Sequence, residues 1–378
     1  MNPNQLFDTA TRLRDTVLAP LKQSFVGKDE IVDLLGVCVA ARENLFLHGP
    51  PGTAKSALVQ EFSRRIQGQA FDYLLSRFTE PNELFGPFDI RKLREGDLVT
   101  NTEGMLPEAD IVFLDELLNA NSAILNSLLM ALNERIFRRG RETRFIPALF
   151  FVGASNHLPE EDTLRALFDR FLLRVRCDAV PDALLGEVLR AGWELEQREE
   201  LDPAEVTADE VRAFQGGIRQ VDLAPIREPY LALVRKLRAA GVEVSDRRAV
   251  RLQRIVAASA LVSGRVEARV SDFWIFRHIW DREEQVEIIE SMVGAALEQS
   301  EPEERDHPQA FQTAPPDPET LHKGLLSIEA RLAENRGDPA AADDLRQLSN
   351  RIEWVPSGVA RETLEEKRDE LWGRINGA

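Results

Sequence analysis

Short apolar runs alternate with amphipathic stretches through the first half of the chain. The runs ENLFLH, DIVFL, PALFFVGAS and LLRVRC are dominated by apolar residues, whereas KSALVQEFSRRI, NSAILNSLLMALNERIF and EDTLRALFDRF carry apolar residues at helical spacing. Buried parallel strands are near-continuous hydrophobic runs, and helices cover such a sheet on its faces. Residues 1–180 are therefore predicted to form an α/β domain with a parallel sheet between helices.

The pattern becomes helical after residue 180, which predicts an all-α region over residues 181–299. The predicted helices cover residues 183–198, 207–219, 227–240, 246–262 and 282–298. Residues 300–319 concentrate proline and acidic residues, which is typical of a linker or of an ordered strap that crosses the surface. Residues 320–378 carry short apolar stripes, and we expect these C-terminal helices to pack on the all-α region.

Composition limits the class of protein. With 378 residues, 43% hydrophobic and 29% charged, the chain is expected to form more than one globular domain. Its net charge of −17 disfavours a general binder of nucleic acid or of acidic membranes. The sequence predicts no membrane span and no signal peptide, so we expect a cytoplasmic protein. Cys38 and Cys177 lack the spacing of zinc ligands and are expected to be buried.

The stretch GPPGTAKS, residues 49–56, differs by one residue from the phosphate-binding pattern G-x-x-x-x-G-K-[ST], because Ala54 replaces a glycine. An apolar run precedes it and a helical pattern follows it, as the pattern requires. Gly49 and Gly52 would let backbone N–H groups face phosphate, Lys55 would reach the β- and γ-phosphates, and Ser56 would bind Mg²⁺. Ala54 lies at the very start of the predicted helix, and a methyl group costs little there if the backbone is already right-handed helical. The alternative is a glycine-rich turn that binds nothing.

Two more strand ends carry polar residues suited to hydrolysis. IVFLDE places Asp115 where a carboxylate can hold Mg²⁺ and Glu116 where a carboxylate can polarise water. LFFVGASN ends in Asn156, whose amide could orient the attacking water, although it could equally be a turn residue before Pro159. Together the three strand ends predict an ATP-hydrolysing site.

These motifs resemble those of AAA+ ATPases, and more narrowly of the MoxR family and its RavA branch, in which alanine at position 54 is usual. The similarity covers about residues 20–300 and rests on FVGKDEIV, GPPGTAKS, FTEPNELFG, GMLPEADIVFLDE, ILNSLLMALNER, GASNHLPE, LRALFDRF and VSDRRAV in combination. The resemblance implies Walker A residues Lys55 and Ser56, Walker B residues Asp115 and Glu116, and the sensor 1 residue Asn156. The rest of the nucleotide cradle would be Val26, Gly27, Gly49, Pro50, Pro51, Gly52, Thr53, Ala54 and Ala57.

The resemblance also implies that Arg170 is an arginine finger offered to a neighbouring subunit and that Arg247 is a sensor 2 residue. A finger acting on a neighbour implies a ring, here a homo-hexamer, with ATP or ADP and Mg²⁺ as ligands. Arg170 could instead pair with Asp169 or Asp162, and Arg248 could take the sensor role.

Two segments are similar to the inserts that face the ring's pore in this family. They are the helix-2 insert, residues 87–104, and the pre-sensor-1 hairpin, residues 138–145. RavA-type proteins carry an additional β-rich domain where this chain has only residues 300–319. MoxR-type ATPases typically act with a protein that bears a von Willebrand factor A domain, so the resemblance implies such a partner.

Three functions remain at the level of sequence. The first is an ATP-driven chaperone that remodels or matures a protein partner. The second is a nucleic-acid motor, supported by five arginines on the hairpin, at positions 135, 138, 139, 141 and 144. Those arginines could instead pair with Glu134, Glu142 and acids of a neighbouring subunit, which we favour. The third is a nucleotide-gated scaffold that hydrolyses slowly.

Overall fold

The structure is a computed structural model. It describes residues 1–94, 98–139, 142–159, 162–198, 206–311 and 318–334, and, of the remainder, 341, 345, 348–349, 352 and 359–376. Residues 95–97 of the predicted helix-2 insert, and Gly140 and Arg141 of the hairpin, lie outside the described residues.

The strands of the described residues include five that form one parallel sheet in the order β3-β4-β7-β1-β8. Their bounds, with those of the four short strands, are β1 (Leu45–His48), β2 (Ile66–Gln67), β3 (Ala70–Leu74), β4 (Ile111–Asp115), β5 (Ile136–Arg139), β6 (Glu142–Phe145), β7 (Phe150–Ser155), β8 (Leu173–Arg176) and β9 (Val206–Thr207). Every residue of β1 and β7 is buried, as expected for strands covered on both faces. The carboxyl ends of parallel strands lie at one edge of the sheet, where the three predicted strand ends meet.

Helices cover the sheet and continue beyond it. Up to residue 310 they are α1 (Pro3–Arg12), α2 (Ala19–Ser24), α3 (Asp29–Ala41), α4 (Lys55–Arg64), α5 (Pro81–Phe85), α6 (Ile90–Arg94), α7 (Ser122–Glu134), α8 (Asp162–Phe168), α9 (Leu185–Glu196), α10 (Ala208–Gly217), α11 (Arg227–Ala239), α12 (Asp246–Val262) and α13 (Val286–Leu297). The predicted α/β fold followed by helices is confirmed. Cys38 and Cys177 are buried and free, as predicted.

The helical region, α9 to α13, follows the sequence pattern closely, with two exceptions. Val206 and Thr207 form β9 and pair with Ile66 and Gln67 of β2, so the prediction of helices alone is wrong at this point. Residues Val270–His278 form a 3-10 helix that the periodicity did not predict, and its Phe273, Trp274 and Phe276 side chains are fully buried.

Residues 300–310 form an ordered strap against the helical region. His307 is buried and stacks on Trp274, with ring centroids 4.4 Å apart. The Gln309 side chain donates a hydrogen bond to Asp33 of α3 at 2.7 Å. The strap interpretation therefore describes this part of the segment, and residues 312–317 lie outside the described residues.

The chain divides into two compact units, Met1–Ala310 and Phe311–Ala378. The second unit contains α14 (Pro318–Glu334) and α15 (Val359–Asn376). Its buried residues are Leu321, Leu325, Ile328, Leu332, Ala341, Leu345, Ile352, Leu364 and Leu371. The predicted apolar stripes thus form a core of their own, and packing of these helices on the all-α region stays a prediction.

Candidate functional site

The loop between β1 and α4 begins with a glycine that the neighbouring strand requires. A Cβ atom at Gly49 would lie 2.3 Å from the Cys177 carbonyl oxygen, so no larger residue fits without moving the backbone after β8. The Gly49 N–H donates to the Ser155 carbonyl at 3.1 Å, which ties the loop to the end of β7. Gly52 has a φ of +81°, a conformation that glycine adopts at little cost.

Ala54 does not have the backbone conformation in which a methyl group costs little. Its φ of +65° and ψ of 21° are left-handed, so the condition of a right-handed helical backbone is not met. A left-handed residue with a Cβ costs about 1–2 kcal/mol, which is why the common pattern has glycine here. The cost is borne because Ala54 caps α4 and turns the chain from the loop into the helix. The Ala54 side chain cannot cap the first N–H groups of α4.

The start of α4 has the features of an anion site. The first N–H groups of a helix have no acceptor within the helix, and those of Lys55, Ser56 and Ala57 donate to no other described residue. The Lys55 ammonium is buried and donates to the Gly49 and Pro50 carbonyls at 2.7 and 2.8 Å. Free N–H groups, a helix N-terminus and an ammonium in one loop suit phosphate oxygens. The rest of the predicted cradle includes Pro51, which is exposed, and Thr53, whose hydroxyl donates to the Pro50 carbonyl at 2.9 Å.

Ser56 and Asp115 meet across the carboxyl edge of the sheet. The Ser56 hydroxyl donates to Asp115 Oδ2 at 2.8 Å, although 58 residues lie between the two in sequence. Asp115 Oδ1 accepts the Glu116 N–H at 2.9 Å. Hydroxyl and carboxylate oxygens are hard ligands, and Mg²⁺ is usually held by one or two carboxylates together with phosphates and waters. This donor pair therefore fits a magnesium ion.

Glu116 follows β4 in a strained conformation. Its φ is +50°, which is uncommon for a residue with a side chain. Glu116 Oε2 accepts a hydrogen bond from the Asn119 side chain at 3.3 Å. Backbone strain of this kind costs about 1–3 kcal/mol and concentrates at functional sites.

Asn156 lies directly after β7 and is exposed. Its Oδ1 is 2.8 Å from Nδ1 of His157, a contact that engages the amide oxygen and leaves the Asn156 amide nitrogen available. The carboxyl ends of β1, β4 and β7, which are neighbours in the sheet, thus carry the loop, the Asp115-Glu116 pair and Asn156 at one edge.

Arg170 lies at the opposite edge of the sheet. Its carbonyl accepts a hydrogen bond from the side chain of Asn44, the residue before β1, at 3.0 Å. The Arg170 guanidinium donates to Asp169 at 3.2 Å, so the pairing that we considered as an alternative is present. Since the Asp169 side chain is 60% exposed, this ion pair is worth at most about 1 kcal/mol and can be exchanged. The side chain of Asp162 lies outside the described residues.

The two arginines at the start of α12 have different surroundings. Arg248 is buried and donates to Asp281 at 2.8 Å, to the Glu243 carbonyl at 2.9 Å and to the Ile279 carbonyl. Arg247 is exposed, and no ion pair or hydrogen bond joins its side chain to another described residue. Of these two, only Arg247 is available to a ligand.

The sequence did not predict a polar contact that joins the sheet to the helical region. Arg174 of β8 is fully buried, forms an ion pair with Asp281 at 2.8 Å and donates a hydrogen bond to the Trp280 carbonyl at 3.1 Å. Burial lowers the pKa of Arg174 to about 9. His48, at the end of β1, lies 3.3 Å from Glu283 of the helical region. Two features of the sequence could have indicated this contact. One is the arginine inside the apolar run of β8, and the other is the acid-rich stretch WDREE, residues 280–284.

Val26 and Gly27 form the turn before α3. Gly27 has a φ of +72°, and a Cβ atom there would lie 3.2 Å from a methyl group of Val180. This turn therefore packs on the chain that leaves β8. A role for Val26 and Gly27 beside an adenine ring stays a prediction.

The predicted insert and hairpin contact each other. Arg139 donates to the Gly86 carbonyl at 2.9 Å and to Asn82 at 2.6 Å, and it lies over the Phe88 ring. Arg144 pairs with Glu142 at 2.6 Å and donates to Thr102 at 2.7 Å. Arg135 is buried. Of the five arginines considered for nucleic-acid binding, these three are engaged within the chain, Arg138 is exposed and Arg141 is not described.

Comparison with known proteins gives matches to two families. Residues 11–216 match the family described as the MoxR domain in MoxR-vWA-beta-propeller ternary systems, and residues 226–293 match the AAA lid domain. None of the helices in the described part of the chain has both the length and the apolar character that a membrane span requires.

Several individual proteins are similar to the chain. Two uncharacterized proteins of Methanocaldococcus jannaschii are each 36% identical, over 74% and 72% of this chain and 77% and 71% of their own lengths. The chaperone MoxR1 of Mycobacterium tuberculosis is 27% identical over 41% of each chain. The crystal structure of a candidate ATPase from Cytophaga hutchinsonii superposes with a TM-score of 0.63, covering 79% of this chain and 97% of that one at 17% identity.

Proposed function

Because the chain belongs to the MoxR family of AAA+ ATPases, we propose that it hydrolyses ATP with Mg²⁺ in a six-membered ring and thereby remodels a protein partner. The observation that carries the proposal is the 2.8 Å contact between the Ser56 hydroxyl and the Asp115 carboxylate. It brings the end of the phosphate loop to the acidic end of β4, beside Lys55 and Glu116. A glycine-rich turn that binds nothing has no need of this arrangement.

The chain's own residues divide the chemistry among them. Ser56 and Asp115 would hold Mg²⁺, which when bound would supply positive charge against the charge that develops on the phosphates. Lys55 exchanges the Gly49 and Pro50 carbonyls for phosphate oxygens. Glu116 polarises the attacking water. Asn156 orients that water through its amide nitrogen, because its oxygen is already engaged by His157.

The position of Arg170 supports a ring. Its main chain lies level with Asn44, whereas the loop begins at Gly49, five residues further along β1. At about 3.3 Å per residue these positions are about 16 Å apart, beyond the reach of an arginine side chain. Arg170 therefore serves the γ-phosphate of a neighbouring subunit. Arg247, exposed on the first turn of α12, would report nucleotide to the lid as sensor 2.

The partner is proposed from the family. The matched MoxR domain is described from systems that contain a vWA protein, which supports a von Willebrand factor A domain protein as the substrate or co-chaperone. The nucleic-acid motor has less support, because Arg135, Arg139 and Arg144 are engaged within the chain. Membership of the RavA-like branch and a cytoplasmic location stay predictions.

The test begins with nucleotide binding and turnover. Lys55→Ala is expected to abolish ATP binding, and Glu116→Gln to bind ATP without hydrolysing it. Asp209→Ala, which changes a 92% exposed carboxylate on α10, is the control and should match the wild type. Binding of ATP by Lys55→Ala with unchanged turnover would contradict the proposed site.

The partner is then captured with Glu116→Gln held in ATP, with and without nuclease. A nuclease-resistant vWA protein would establish remodelling of that partner. Nucleic acid without protein, together with ATPase stimulation that fades as salt rises, would favour the motor. Slow single-turnover hydrolysis without any partner would favour the nucleotide-gated scaffold.

A further inference from the structure

Asn44 joins three parts of the fold through one buried side chain. It is 1% exposed and immediately precedes β1. Its Oδ1 accepts from Arg135 Nη2 at 2.8 Å and from the Phe151 N–H of β7 at 3.2 Å, and its Nδ2 donates to the Arg170 carbonyl at 3.0 Å. Because the oxygen has two donors and the nitrogen has an acceptor, the orientation of the amide is fixed.

Arg135 connects this amide to the hairpin β5–β6. It ends α7 with a φ of +54°, and its carbonyl accepts the Ile146 N–H at 2.7 Å, which closes the base of the hairpin. Its guanidinium lies 4.5 Å from the centre of the Phe151 ring and is 9% exposed. Burial, the largest cause, lowers its pKa to about 9. Asn44 is the hydrogen-bond acceptor that the structure gives this guanidinium among the described residues.

We infer that Asn44, held by Arg135, is a positioning residue for Arg170 and sets how the Arg170 guanidinium reaches the nucleotide site of a neighbouring subunit. This inference rests on the proposed function. Asn44 fixes the Arg170 main chain, while the partner of the guanidinium among the described residues is Asp169, in an exchangeable ion pair. The same amide ties Arg170 to the base of the hairpin, so displacement of the hairpin is transmitted to the finger.

The test uses mixed rings. Asn44→Ala alone should lose about 10- to 100-fold in kcat, as a misplaced reacting group does, with KM for ATP and the nucleotide Kd nearly unchanged. Mixed with Glu116→Gln, which cannot hydrolyse but carries an intact Asn44 and Arg170, the Asn44→Ala subunits should regain activity beyond the sum of the two proteins alone. Their own sites are intact and receive a correctly placed finger from the neighbour.

Two further variants keep the test decisive. Asn44→Asp retains acceptors for Arg135 and the Phe151 N–H but loses the donor to the Arg170 carbonyl, so it should fold and behave as Asn44→Ala does. Gln215→Ala is the matched control, because Gln215 is a buried amide that donates to the Val39 carbonyl at 2.7 Å and does not touch Arg170. Any activity that Gln215→Ala loses should not return on mixing.

The reference mixture is Arg170→Ala with Glu116→Gln. If it regains activity and neither Asn44 variant does, Asn44 acts on its own subunit and the inference is overturned. If the reference mixture itself gains nothing, the finger acting on a neighbour is wrong and the inference falls with it. If both Asn44 variants retain full kcat alone, the hydrogen bond to Arg170 has no positioning role.

Discussion

Arg174 and Asp281 join the last strand of the sheet to the helical region through an ion pair of 2.8 Å. The Arg174 side chain is fully buried, and the opposite oxygen of Asp281 pairs with Arg248 of α12 at 2.8 Å. One carboxylate thus balances two buried arginines from two parts of the fold.

Removal of this carboxylate is expected to be severe. Asp281→Ala leaves two buried guanidinium groups without their anion and should lower the free energy of unfolding by about 3–5 kcal/mol. The measurement is urea denaturation. The control is Asp8→Ala, which removes a 69% exposed partner of Arg12 and should cost less than about 1 kcal/mol. An equal loss in the free energy of unfolding for the two substitutions would show that the buried ion pairs of Asp281 stabilise the fold no more than an exposed pair does.

Ala54→Gly should stabilise the protein without nucleotide. At a φ of +65° glycine avoids the strain of a Cβ atom, so we expect a gain of about 1 kcal/mol. The control is Ala57→Gly in the first turn of α4, where glycine should cost about 0.5–1 kcal/mol. Chemical denaturation of both variants gives the comparison. A loss of stability in Ala54→Gly would mean that the left-handed conformation is not adopted.

Substitution of Arg247 and of Arg248 should have different effects on stability and on ATPase activity. Arg248→Ala removes contacts to Asp281 and two carbonyls and should destabilise the fold by about 3 kcal/mol. Arg247→Ala changes an exposed side chain, so its stability should stay within about 0.5 kcal/mol while ATPase activity falls. Thermal unfolding and turnover, measured side by side, distinguish them. Full ATPase activity in Arg247→Ala would contradict the assignment of Arg247 to the nucleotide site.

His307 should make stability depend on pH in the acidic range. Burial, the largest cause, lowers its pKa to about 4, and its Nδ1 accepts the Gln309 N–H at 3.2 Å. In the unfolded chain the pKa is about 6.5, so between pH 6.5 and 4 the unfolded state binds a proton that the native state does not. The free energy of unfolding should therefore fall by about 3 kcal/mol over this window as the pH is lowered.

The variant His307→Gln isolates this contribution. Carboxylates also titrate in the same window, so the relevant quantity is the difference in pH dependence between the wild type and His307→Gln. The variant should lose less stability than the wild type between pH 6.5 and 4. Identical pH profiles would mean that His307 is protonated in the native state or exposed.

Asp115→Asn tests the metal site. An amide oxygen carries no charge, so Mg²⁺ should bind more weakly and the Mg²⁺ concentration needed for half-maximal turnover should rise about 10-fold or more. Removal of Mg²⁺ by chelation should abolish turnover in the wild type. Measurement of nucleotide binding without Mg²⁺ is the control, since Lys55 and the helix N-terminus are unchanged. An unaltered Mg²⁺ dependence would exclude Asp115 as a ligand.

The sequence predicted the sheet, the helices and the meeting of the three strand ends, because each depends on local periodicity and on the order of elements. Lys55, Ser56 and Asp115 follow from this, since parallel strands end at one edge. The conformation of Ala54 does not follow, because it depends on how the loop packs between β7 and β8. The pattern of apolar residues carries no information on a single backbone angle.

Long-range polar contacts could not be predicted from the sequence either. Arg174 and Asp281 are 107 residues apart, and nothing local relates them. Arg247 and Arg248 are adjacent on one turn, so only the packing of α12 decides which is buried. Asn44 is one polar residue before an apolar run, and its three partners come from separate elements.

Strand β1 also constrains how the sequence of this protein can evolve. Its four residues separate Asn44 from Gly49, and one inserted residue would reverse which side chains face each layer of helices. It would also move Arg170 by about 3 Å relative to the loop of its own chain. All subunits of the proposed ring have the same sequence. Such an insertion would therefore alter every interface between subunits at the same time. Natural variants should therefore conserve the length of this strand even where its apolar residues are exchanged.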